Sequence, residues 1–210
     1  MVARLIRIAV TMVAVGLLAA CGGPGAPLGP PSAKDILSKP LHTNLNDAHF
    51  VVSGKFVSST PGGVAVDVHG DGALVYKNAG AGRFKFETTV AGQKVSYQDI
   101  SVGGVDYTFI APGNGKWTAK KTSSGLGPDS FTGAKDFTYV GEDSLANGKA
   151  WHAKAKDTEG NQFDGWIRES DGYPLKYTIT QQGNALTLSF DKYNTGESIA
   201  APPASQVVQG

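Results

Sequence analysis

Leu175-Lys176-Tyr177-Thr178-Ile179-Thr180 alternates apolar and polar side chains. In an extended chain successive side chains point to opposite faces, so this pattern makes one apolar face and one polar face. The same period recurs elsewhere. Phe50, Val52 and Phe56 oppose Ser53 and Lys55, and Val64, Val66 and Val68 alternate with Ala65, Asp67 and His69. Phe84, Phe86 and Thr88 alternate with Arg83, Lys85 and Glu87. Tyr107 and Phe109 follow, then Trp117. Trp151, Ala153 and Ala155 alternate with His152, Lys154 and Lys156, and Phe163, Gly165 and Ile167 with Asp164, Trp166 and Arg168. Leu186, Leu188 and Phe190 close the series. Such runs are half-buried antiparallel strands.

Turn signals separate them, among them Gly103-Gly104, Asn147-Gly148, Asp171-Gly172 and Gly183-Asn184. These residues tolerate the positive φ of tight hairpins. The 28 glycines favour hairpins over helical crossovers. The count is about eight to ten strands, a sheet roughly 40 Å wide at about 4.8 Å per strand. One stretch reads as helix, Ala33 to Lys39 behind a Ser32 N-cap, with Ile36, Leu37, Leu41 and Leu45 as its apolar stripe and Pro40 as a kink. A helix about 10 Å across cannot cover such a sheet. The sheet must curl into an open or closed barrel, or leave an apolar surface for something else.

Residues 1–20 read as a signal segment: Arg4 and Arg7, an apolar run from Ile8 to Leu18, then Ala19-Ala20. Cys21, the single cysteine of the chain, follows at once, as in a bacterial lipobox. An uncleaved membrane helix is the alternative, but the run falls short of the roughly 20 apolar residues a span needs. In the lipobox reading Cys21 becomes a diacylglyceryl-modified N-terminus on the extracytoplasmic face of the cell membrane. Two or more acyl chains anchor stably where one is marginal. Residues 21–31 are rich in Gly and Pro and form a tether reaching roughly 30 Å if extended. Residues 32–203 are then one domain, stable without a disulfide, and 204–210 a tail.

Loss of Arg4 and Arg7 takes the formal net charge from +1 to −1. That balance gives no basic footprint for nucleic acid and no polybasic patch for anionic lipid. His42, His49, His69 and His152 lack metal-ligand spacing and read as strand or surface histidines. Ser144 is in no nucleophile elbow. Asp157-Thr158-Glu159-Gly160-Asn161 starts like a calcium loop, but Gln162 replaces the sixth-position glycine, so it reads as a polar turn. No catalytic residue, metal or cofactor is expected. The candidate ligand contacts are aromatic and aliphatic strand residues: Phe50, Val52, Phe84, Phe86, Tyr107, Phe109, Trp151 and Phe163. The competing reading is a filled core.

Several stretches together carry a resemblance. After the lipobox come the helix and Leu45-Asn46-Asp47-Ala48-His49-Phe50-Val51-Val52-Ser53-Gly54-Lys55. Then follow Val102-Gly103-Gly104-Val105-Asp106-Tyr107-Thr108, Gly115-Lys116-Trp117, Asp171-Gly172-Tyr173-Pro174-Leu175-Lys176-Tyr177, Leu186 to Tyr193, and Ala201-Pro202-Pro203. In this order they resemble the actinobacterial LppX/LprG-type lipoproteins, which share the half-barrel fold of the carriers LolA and LolB. The resemblance implies an α+β fold: a curved antiparallel β half-barrel of about eight to ten strands, with one kinked N-terminal helix and at most one more short helix. Those proteins hold acyl chains of lipids or glycolipids between sheet and helices and move them through the envelope. The chain departs from them between Trp117 and Phe137. There the family has a long helical insert, and Thr118 to Asp136 is rich in Gly, Ser and Lys, with Pro128 inside. That segment is expected to gate the opening.

The expected protein is a monomeric, lipid-anchored binder of a hydrophobic ligand, with the membrane and a lipid-like molecule as its partners. The rival is a surface structural or interaction lipoprotein with no ligand. Cys21→Ala should abolish incorporation of labelled palmitate in the producing cell and shift the chain out of the membrane fraction. Undiminished labelling would sink the lipobox reading.

Overall fold

The computed structural model describes residues 29–57, 65–77, 80–90, 92–121, 133–157, 160–181 and 184–210. Cys21, the signal segment and most of the tether lie outside these residues. The chain divides into Met1–Pro30 and Pro31–Gly210, and the second, compact unit holds every element below.

Helix α1 (Ala33–Ser38) is followed by a 3-10 turn (Lys39–His42) and eleven strands of five to eleven residues. They are β1 (Asp47–Val57), β2 (Ala65–Val75), β3 (Ala81–Val90), β4 (Gln93–Val102), β5 (Val105–Ala111) and β6 (Trp117–Lys121), then β7 (Lys135–Leu145), β8 (Gly148–Lys156), β9 (Gln162–Arg168), β10 (Pro174–Gln181) and β11 (Asn184–Tyr193). A short β12 (Val207–Gln209) ends the chain. All twelve form one sheet in the order β12-β6-β5-β4-β3-β2-β1-β11-β10-β9-β8-β7. Neighbours are antiparallel except β12, which runs parallel to β6. The outermost strands β12 and β7 do not pair, so the sheet is an open half-barrel.

There are twelve strands where the alternation suggests eight to ten. In β4 polar residues occupy the apolar face. In β7 register shifts between Lys135 and Thr138 and between Tyr139 and Gly141 break the period. The expected tail supplies β12, with Gly210 N donating to Ala119 O at 3.0 Å.

Ser32 caps α1, its hydroxyl accepting from Asp35 N at 3.2 Å. Pro40 stands at the start of the 3-10 turn, where its missing N–H costs no helical bond. Three residues per turn instead of 3.6 shift the apolar phase. Ile36, Leu37 and Leu45 are therefore buried, while Leu41, expected on the same stripe, is 38% exposed.

Register defines the faces. The inner face carries Phe50 and Val52, and residues directly paired with them point the same way. Phe50 meets Phe190 edge-on at 5.4 Å, Tyr177 meets Phe190 at 5.0 Å, and Phe163 meets Tyr177 at 4.9 Å. Helix α1 packs on β7, β8 and β9. Leu37 lies where a β-carbon of Gly165 would project. Gly72 faces Phe50 across β1–β2, and a β-carbon there would strike the Phe50 ring and stand 2.5 Å from the Arg83 carbonyl oxygen. Gly70 is crowded likewise by the β3 backbone at Lys85 and Phe86.

The outer face is polar. Arg83 reaches Asp71 and Glu197, and His49 Nδ1 lies 2.6 Å from Asp191. After β11 the chain is clasped to the start of β1. The buried Asp47 carboxylate accepts from Thr195 N at 2.8 Å, Thr195 Oγ1 at 3.0 Å and Gly196 N at 3.0 Å. Asn194, at φ 56°, accepts from Asn46 N at 2.7 Å. From there the chain passes the outer side of β3 at Glu197 and reaches the edge, where Lys116 Nζ donates to Ser205 O at 2.7 Å.

Gly72→Ala should destabilise the fold by about 1–3 kcal/mol, as overpacking does in a close-packed core. Urea unfolding measures it. A change below about 0.5 kcal/mol, the usual size for a surface substitution, would mean that β2 and β3 relax freely.

Candidate functional site

The inner face has two unlike halves. On β8–β11 and β1 it is packed solid. Phe50, Val52 and Phe163 are buried there with Ile36, Leu37, Tyr177 and Phe190. Phe50, Val52 and Phe163, expected to touch a ligand, are part of this packed core, with Ile36 and Leu37 of the helix in the same cluster. Trp151, on the inner face of β8, is half-buried, with Lys39 Nζ 5.2 Å from its ring centre.

Val68 and Leu74 of β2 still belong to this core, whereas β3 to β6 are not among the strands on which α1 chiefly packs. Phe84 and Phe86 lie here, paired with Asp99 and Tyr97 on β4. The three rings form one apolar platform: Phe84–Phe86 at 6.1 Å, Phe86–Tyr97 stacked at 5.0 Å and Phe84–Tyr97 at 5.5 Å. Each is only half-buried. Ile110, paired with Tyr97, is 50% exposed. At the strand ends a depression of about 590 Å³ is lined by Glu87, Ser96 and Ala111, which register places on the outer face, together with Lys94, Val95 and Pro112.

Beside the platform the inner face turns polar. Asp99 is 8% exposed and accepts from Thr108 Oγ1 at 3.0 Å and from the Tyr97 hydroxyl at 3.4 Å. Burial pushes the Asp99 carboxyl above its ordinary value. Burial, then the charge of Asp99, pushes the Tyr97 hydroxyl to about 12, so it stays protonated and donates.

Tyr107 and Phe109, expected beside Phe84 and Phe86, lie on the outer face. They pair with Ile100 and Gln98, while Asp106, Thr108 and Ile110 point inward. Phe109 packs on Trp117 at 5.4 Å. Tyr97 is not among the expected contacts, because β4 shows no apolar alternation. Its signal is Val95 and Tyr97 at inward spacing, masked by Asp99 and Ser101 on the same face.

His49 and His152 are outer-face strand residues. His152 stacks on Trp166 at 4.0 Å and bonds Asp164 at 2.9 Å. Across the expected polar turn Asp157 accepts from Asn161 N and Nδ2, both at 2.8 Å. Among the described residues no group of three or more His, Cys, Asp or Glu could hold a metal ion. The expected gate, Thr118 to Asp136, falls largely outside the described residues.

No protein-family model and no curated protein sequence matches the chain. An uncharacterized conserved protein from Thermus thermophilus has a similar solved structure, with TM-score 0.54 at 13% identity, over 85% of this chain and 99% of that one. LprF from Mycobacterium bovis matches with TM-score 0.47 at 14% identity, over 81% of this chain and 96% of that one. The Mycobacterium tuberculosis lipoprotein LppX matches with TM-score 0.44 at 12% identity, over 80% and 99%. At these identities the likeness is one of fold. The open antiparallel half-barrel with a short N-terminal helix, expected from the resemblance, is the fold found.

A carboxyl with a raised folded-state pKa contributes stability below its ordinary value, 3.8 for Asp99, and loses it as pH rises through the raised value. Asp99→Asn has no such loss. Its stability relative to the parent chain should rise from about pH 3 to about pH 7. A pH-independent difference in denaturant midpoints would contradict the assigned burial.

Proposed function

We propose that this chain is a lipid-anchored envelope protein that binds the acyl chains of a lipid or glycolipid and passes them through the envelope. The observation that carries the reading is the Phe84–Phe86–Tyr97 platform, an aromatic surface on the inner face left half-exposed beyond the reach of α1. Aromatic rings bury large area at low entropic cost, and a half-buried cluster of them needs an apolar neighbour. An acyl chain laid along it gains about 0.8 kcal/mol per buried methylene without any polar contact. Cys21 and the tether would keep this face close to the membrane that supplies and receives the ligand.

Within this reading Phe84, Phe86 and Tyr97 are the ligand contacts, and Phe50, Val52 and Phe163 are the floor that holds them. Trp151 stands apart from the platform on β8, under the Lys39 ammonium of the 3-10 turn. The mechanism is binding and release, with no bond made or broken.

One observation favours the rival, a structural or interaction lipoprotein with no ligand: Ile36 and Leu37 fill the space between α1 and the sheet. Native mass spectrometry separates the two. A soluble chain starting at residue 22, made in a lipid-containing host, should carry bound lipid. Phe86→Asp should reduce that load more than it lowers stability, because Phe86 is half-buried beside the open face. A bare chain mass for the parent protein favours the rival.

A further inference from the structure

We propose that Asp99 and Asp106, with the hydroxyls of Tyr97, Ser101 and Thr108, form a polar subsite on the inner face that takes a hydrogen-bond-donating, non-anionic group of an amphiphilic ligand. The group is hydroxyl or ammonium; the shared chemistry is an O–H or N–H donor without negative charge. This rests on the carrier reading and names the head-group class that goes with the acyl chain.

Register brings these residues together. Asp99 pairs with Phe84 on one side and Thr108 on the other, and Ser101 pairs with Asp106. All therefore share the face of the aromatic platform. Asp99 and Ser101 are each 8% exposed. The negative charge of Asp106 acts on both Asp99 and Tyr97.

The subsite is short of donors. Asp106 Oδ1 is shielded from solvent and has no hydrogen-bond partner among the described residues. Lys120 stands opposite Asp106 on β6, but its side chain is exposed. Outside this face Glu169 Oε1 is likewise shielded and without a partner among the described residues, but several other acids are served. Asp71 has Arg83 and Lys85, Asp164 has Lys154 and His152, and Asp171 has Arg168. Even buried Asp47 has three donors. Leaving a buried acceptor unpaired is costly, and a ligand that supplies the missing donor recovers that cost on binding. A phosphate would set further negative charge against two carboxylates. Because the subsite adjoins Phe84 and Phe86, one molecule can place its tail on the rings and its head on the acids.

Three twelve-carbon probes test this by calorimetry, below their micelle-forming concentrations: dodecyl maltoside, dodecylammonium and dodecyl phosphate. The protein is the chain starting at residue 22, which retains the whole Pro31–Gly210 unit. At least one donor-bearing probe should bind about tenfold or more tighter than the phosphate. Whether maltoside or ammonium leads identifies the source of the donor. The double variant Asp99→Asn, Asp106→Asn should bring that ratio close to one, with the gain appearing for dodecyl phosphate. If the double variant does not fold, Asp106→Asn alone should lower the ratio, since Asp106 Oδ1 has no hydrogen bond to lose. Equal binding of all three probes by the parent chain, or a preference unchanged in the variants, overturns the subsite. Failure of every probe to bind overturns the carrier reading itself.

Discussion

A β-carbon has no place to go at position 70 or 72, and the shape of the inner face follows from that. With glycine at both, β2 approaches the β3 backbone closely and the Phe50 ring lies over Gly72. Gly165 does the same for Leu37 farther along the same face. The sheet bends round large side chains at the points where its own side chains are missing. Bulges reinforce the bend, at His49/Phe50 in β1 and Pro174/Lys176 in β10. A six-residue helix then suffices to seal one half of the bend. The other half of the inner face is left with aromatic rings and carboxylates that α1 does not seal.

The two halves hold together differently. Beneath α1 the interactions are apolar and close-packed, with Phe50, Phe190, Tyr177 and Phe163 in a chain of ring contacts. Away from α1 the outer face does more of the work. The segment after β11 is tied to Asp47, then to Arg83, and ends as a strand on β6. β6 is only five residues long and would otherwise be a bare edge. The open half of the inner face is thus braced from behind, which leaves its front free of structural duties.

Much of this was legible in the residues. Alternation at Leu175–Thr180, Phe84–Thr88 and Trp151–Lys156 marked strands that exist, and their glycine-rich separators marked the turns between them. Ser32 and Pro40 marked where the helix begins and breaks. What alternation cannot convey is which of two faces is inward, because parity is set strand by strand through the register. In β5 the larger aromatics Tyr107 and Phe109 face outward, where Phe109 meets Trp117, so size misassigned the face. β4 was invisible because Asp99 and Ser101 sit on its inner side, and a carboxylate among apolar residues erases the period. The residues that hid the strand are those with the most chemistry to offer a ligand. Phe84 and Phe86 were readable as inward-facing from their own strand; their partner Tyr97 was not.

β1, near the middle of the sheet, is the first strand made, and its partner β11 is the last long one: Phe50 lies beside Phe190. Hairpins such as β3–β4 can form as soon as they emerge, but the central seam cannot close until nearly the whole chain is available. Distant pairings of this kind slow folding. The strand order itself thus holds the central seam open until β10 and β11 are available to complete it.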